Sequence, residues 1–136
     1  MPREPDEVIN KELSRINLHL PRQKKSLARL LEEENPSIKL RDGSEHHFKK
    51  SELEFLASLL EEEEKERLYL PIILEITTTW HGYFKVRGTL AVKVVEKILG
   101  TYDILEEKKE LTLPRYLLPK IRRMLPTTTT YAFIMG

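Results

Sequence analysis

Apolar positions in the first third of the chain recur at helical spacing. Val8, Ile9, Leu13 and Ile16 mark one stripe, which predicts a helix over about 4–18. Pro21 ends it, because a residue before proline avoids the helical conformation. A second helix is predicted from about Pro21 to Glu34, with the proline in its first turn and Leu27, Leu30 and Leu31 on one side. Asn35-Pro36 stops it. Ile38 and Leu40 then suggest a short strand, Asp42-Gly43 a tight turn, and Glu45 to Phe48 a return strand. Ser51 with Glu54 reads as a capping box for a third helix bearing Leu53, Leu56, Leu59 and Leu60. The run Glu61 to Arg67 reads as its solvated end.

Leu68 to Trp80 has the composition of one strand, with Pro71 at its start, an edge or a bulge. His81-Gly82 turns into a second, Tyr83 to Arg87. The stretch Thr89 to Leu99 carries two patterns. Alternation favours a strand, whereas Leu90, Val94, Val95 and Ile98 closed by Gly100 favour a helix, which is the reading taken. A strand at Glu110 to Leu113, a small helix opened by Pro119 and a strand over Thr127 to Ile134 complete the order. The expected fold class is α+β. It is a single domain over 1–136, with a mostly antiparallel sheet of about five or six short strands packed with four to five helices. An N-terminal helical pair (about 4–34) precedes an α+β body (about 36–136).

Composition narrows the chemistry. The chain has 136 residues and no cysteine, so disulfides, thiolate metal sites and a cysteine nucleophile are excluded. No apolar run approaches the roughly 20 residues of a membrane-spanning helix. The charged N-terminus does not resemble a signal peptide, and a cytoplasmic location is expected. The chain is 33% charged, with almost all its acid as Glu, which is the composition of a thermophile protein. Net charge is only +1, but it is segregated. His19 to Leu31 and Pro114 to Gly136 carry Lys and Arg without any acid, while the acids sit in blocks at 32–34, 61–64 and 106–107. No P-loop, dinucleotide-binding or nucleophile-elbow motif is present, and no histidine spacing suits a metal; neither a cofactor nor a metal is expected.

Several stretches together carry a resemblance: INLHLP, KLRDGSEHHFKKSEL, LPIIL, VRG with KVVEKILG, and LPTTTTYAF. In this order they resemble an archaeal family of small uncharacterised proteins, catalogued as a domain of unknown function. The resemblance implies an archaeal origin, a single domain and no assigned activity. Its motif positions here are Asn17, His19, Pro21, Arg41, Asp42, Gly43, Pro126 and Thr128, with a histidine after the turn that is either His46 or His47. No role comes with any of them.

Three groups of side chains are candidates for chemistry. Arg41, Asp42 and Gly43 with His46, His47 and Lys49 form the first. Strand alternation places His46 with Phe48 on one face and His47 with Lys49 on the other. Asn17 and His19 beside Arg22 and Lys25 form the second, and Arg122 and Arg123 with the threonine run the third. Each has a plainer reading, as turn chemistry, a solvated helix face or ordinary strand formers respectively. The function favoured is binding of RNA or an RNA–protein assembly, with phosphate contacts from Arg22, Lys25, Arg41, His46, His47, Lys49, Arg122 and Arg123. A small enzyme acting on a phosphorylated substrate is the alternative. There His46 or His47 would be acid or base, with Arg41 and Lys49 as anion clamps. The third reading is a structural or regulatory domain that pairs with another protein or with itself as a homodimer.

Overall fold

Five residues of alternating pattern, Ile73–Thr77, form the strand on which the larger sheet is built. Leu74 and Ile76 are buried, while Ile73, Glu75 and Thr77 point the other way. The computed structural model describes residues 21–77, 80, 82–103 and 106–134. The expected helix over 4–18, with Asn17 and His19, lies outside these residues.

In chain order the elements are β1 (Lys25–Ser26), α1 (Leu27–Glu32), β2 (Ser37–Lys39), β3 (Glu45–His47), α2 (Lys50–Ser58), α3 (Glu62–Arg67), β4 (Tyr69–Leu70), β5 (Ile73–Thr77), β6 (Tyr83–Arg87), α4 (Thr89–Leu99), β7 (Glu110–Pro114), a 3-10 turn (Arg115–Leu117), α5 (Leu118–Met124) and β8 (Thr130–Ile134). The class is α+β. The strands form two small antiparallel pairs, β1–β4 and β2–β3, and a four-stranded sheet of order β7-β6-β5-β8. Pairing is antiparallel except between β5 and β8, which run parallel with Ile73 opposite Thr130. Leu74, Ile76, Phe84 and Val86 pack beneath α4 and α5, joining Val92, Val95, Ile98 and Ile121 in one core with Leu27, Leu30, Leu53 and Leu56 of the helical half. On the opposite face Arg87 pairs with Glu75 (3.0 Å) and Glu110 (3.4 Å).

Residues 89–99 are helical. Gly88 starts the helix, and Gly100 ends it in the left-handed conformation (φ 75°), where a side chain would be strained. The Thr101 N–H then donates to the Glu96 carbonyl (2.9 Å). Pro119 opens α5 as expected.

Four local expectations are corrected. The segment 21–26 is extended rather than helical. Arg22 and Gln23 N–H groups both donate to the Lys39 carbonyl and Pro21 bridges Leu40, so tertiary pairing overrides helical spacing. The capping box does not form at Ser51–Glu54; α2 begins at Lys50 without a side-chain cap, and the box appears at Glu61–Glu64, where it starts α3 as a separate helix. The single strand expected over 68–80 breaks at Pro71. Its first part pairs with β1 and its second enters the large sheet. The strand expected from Thr127 begins at Thr130, because Thr127–Thr129 form a turn in which the Thr129 N–H and hydroxyl donate to the Pro126 carbonyl (2.9 and 2.7 Å).

Candidate functional site

The β2–β3 hairpin is closed by side-chain chemistry at its turn. Asp42 Oδ1 accepts from both the N–H (2.9 Å) and the hydroxyl (2.5 Å) of Ser44, and Gly43 takes φ 89°. Asp42 and Gly43 therefore act in the turn itself. Arg41 is exposed beside them, and Arg22 lies beside β2, its N–H donating to the Lys39 carbonyl.

Strand alternation sets the two histidines apart. His47 is exposed, 3.9 Å from Glu45. His46 turns inward onto buried Phe48, the rings meeting edge to face with centroids 5.1 Å apart. Its Nε2 is buried and has no hydrogen-bond partner among the described residues. Burial holds the imidazole below its ordinary pKa. The Glu52 carboxylate pulls it back up, and His47 pushes it further down. His46 is therefore a neutral imidazole at pH 7.

Glu52 makes the junction. It sits in the first turn of α2, just after Lys49 and Lys50, and its Oε2 accepts the Thr127 N–H at 2.8 Å. The hairpin, the start of α2 and the threonine turn that follows α5 thus share one seam. Thr128 Oγ1 is buried there with no hydrogen-bond partner among the described residues, while Thr129 and Thr130 are buried structural residues. On α5, Arg122 and Arg123 are exposed. The Arg122 guanidinium stacks over Tyr131 at 4.6 Å from the ring centroid. Burial raises the Tyr131 hydroxyl pKa against the lowering effect of Arg122.

Of the basic residues singled out in sequence, Arg22, Arg41, His47, Lys49, Arg122 and Arg123 are exposed around the hairpin and the seam. Lys25 is placed elsewhere. Because 21–26 is extended, its ammonium turns inward to pair with Glu33, leaving the residue 8% exposed. Glu52 was not foreseen. An acid in a helix's first turn is ordinary, and nothing in the sequence ties it to a threonine 75 residues away.

A second charged cluster lies beside α4. Lys93 pairs with Glu64, Lys93 and Lys97 each stand 5.3 Å from the Tyr102 ring centroid, and Lys108 stands 3.2 Å from buried Glu96. Burial alone would raise the Glu64 carboxyl, but the Glu61 N–H and the Lys93 ammonium hold it below its ordinary value. A cleft of about 50 Å³ opens there, which is little more than space for solvent. Among the described residues no group of His, Asp or Glu could hold a metal ion, and no helix is long and apolar enough to cross a membrane.

Comparison with known proteins follows the same outline. The model for "Protein of unknown function DUF61" matches residues 6–133. A UPF0216 protein of Pyrococcus abyssi is 55% identical over 130 residues, covering 96% of each chain. One from Methanopyrus kandleri is 40% identical over 136 residues, covering 96% of this chain and 90% of the relative. The solution structure of an archaeal DUF61 family protein shares the fold with a TM-score of 0.60 at 19% identity, over 97% of this chain and 83% of that one. The chain is a member of the DUF61 family.

Proposed function

We propose that this protein is an RNA-binding module whose basic rim runs along the hairpin and the seam. One observation carries the reading: the hydrogen bond from the Thr127 N–H to Glu52 draws together basic segments far apart in sequence. Arg41 and Lys49 come from the hairpin and the start of α2, Arg122 and Arg123 from α5, and Arg22 from the strand-like segment beside β2. All five are exposed, and Lys and Arg side chains so placed make phosphate contacts. Lys25, turned inward to Glu33, takes no part.

The test is RNA binding by the purified protein, titrated at two salt concentrations. Five contacts on a single strand predict roughly a hundredfold weakening between about 50 and 200 mM salt. Arg41→Ala and Arg123→Ala should each reduce both affinity and salt slope. Absence of binding at low salt would sink the proposal. A second reading, a small enzyme for phosphorylated substrates, draws on His46. A neutral imidazole whose Nε2 has no hydrogen-bond partner among the described residues, beside a carboxylate, has the makings of a general base. Turnover of a phosphorylated metabolite, lost in His46→Gln, would favour it.

A further inference from the structure

At the other end of the four-stranded sheet the chain leaves three aromatic rings in solvent. Trp80 is 94% exposed, Tyr116 78% and Tyr83 44%. Tyr83 and Tyr116 belong to one locality, and Trp80 precedes Tyr83 by three residues in the chain. Tyr83 pairs with Pro114 in register, and the Arg115 N–H donates to the Gly82 carbonyl at 2.6 Å. That bond holds Gly82, at the entry to β6, against the 3-10 turn carrying Arg115 and Tyr116. Single exposed apolar residues are ordinary, but three large exposed rings this close together offer a surface on which flat groups can stack.

The charge around the rings says which partner. From Pro114 to Ile134 the chain has four Arg and Lys residues and no acid. Arg115 stands beside the rings. Exposed Tyr116, Lys120 and Arg123 then follow at spacings of four and three along the 3-10 turn and α5, ending at the turn that holds exposed Thr127. This strip joins the aromatic end to the Glu52–Thr127 seam. Aromatic faces with a cationic strip that carries no acid of its own match a polyanion whose bases are free to stack. A duplex hides those faces.

We infer that the protein binds single-stranded RNA, stacking bases on Trp80 and Tyr116 with Tyr83 at the margin, while the backbone follows Lys120 and Arg123 toward the hairpin. The inference deepens the proposed function and rests on it. Base stacking on a ring is sequence-tolerant, so the preference is for strandedness rather than for one sequence.

Trp80 is the chain's single tryptophan, so its emission reports this site alone. The full-length protein is titrated with single-stranded oligouridine and oligoadenosine, and with an RNA duplex of equal length. Quenching of Trp80 by the single strands and weaker binding of the duplex are expected. Trp80→Ala and Tyr116→Ala should each weaken single-strand binding about tenfold, and Trp80→Phe much less. Both rings are exposed, so the variants should fold. If RNA binds with salt dependence and responds to Arg41→Ala, yet Trp80 emission and the Trp80→Ala affinity are unchanged, this inference falls while the proposed function stands. If no RNA binds, both fall. Self-association abolished by Trp80→Ala would also overturn it, assigning the rings to a protein interface.

Discussion

Replacing Glu52 by glutamine and by alanine separates two things its carboxylate does. Its charge lies in the first turn of α2 and faces His46; its Oε2 accepts the Thr127 N–H. A negative charge in a helix's first turn contributes about 0.5 kcal/mol. A partly exposed hydrogen bond adds about 1 kcal/mol. Glu52→Gln keeps an acceptor for Thr127 and loses the charge, so it should cost about 0.5 kcal/mol. Glu52→Ala loses both and should cost about 1.5 kcal/mol. In a domain of this size those values correspond to melting points lower by roughly 2 °C and 5 °C. Both variants should also move the His46 titration to lower pH, because Glu52 is the group that pulls it upward against burial. Thermal unfolding followed by circular dichroism, with NMR titration of the assigned histidines, measures both effects. Equal melting points for the two variants would refute the Thr127 bond. An unmoved His46 would refute the claim that Glu52 faces the imidazole.

Three further outcomes follow from the same structure. His46 binds its proton more weakly folded than unfolded, so the unfolded chain takes up more protons below the ordinary value of 6.5; stability should fall as pH drops through that value, and His46→Gln should flatten this part of a denaturation series run against pH. Leu53→Ala removes a fully buried side chain where the helical half meets the core and should cost about 3 kcal/mol in chemical unfolding; a loss under about 1 kcal/mol would contradict that packing. Gly100→Ala should cost about 1 kcal/mol although nothing lies within 4 Å of the added carbon, because the penalty is purely that of φ 75°, and Gly100→Asn should recover part of it in the same assay.

Much of the local structure was legible without coordinates. Asp42-Gly43 specifies a turn from its own side chain and positive φ. The glycines at 88 and 100 bound α4, and Pro119 opens α5, because those residues act on the backbone next to them. Alternation alone sends His46 inward with Phe48 and His47 outward. The candidate basic residues were legible too, since segregated charge is a property of the sequence.

What the chain could not disclose is how distant groups settle each other's conformation. The segment after Pro21 is extended because Lys39 offers its carbonyl, and that extension buries Lys25. The stretch 68–80 divides at Pro71 because β1 claims one half and the large sheet the other. The parallel β5–β8 pairing, the Glu52–Thr127 bond and the pairing of Tyr83 with Pro114 all join residues without local signals for one another. Composition and near-neighbour chemistry determined which turns, helices and charges this protein has. Only tertiary packing decided which of them stand together, because a backbone group or ion takes whichever partner the folded core leaves within reach.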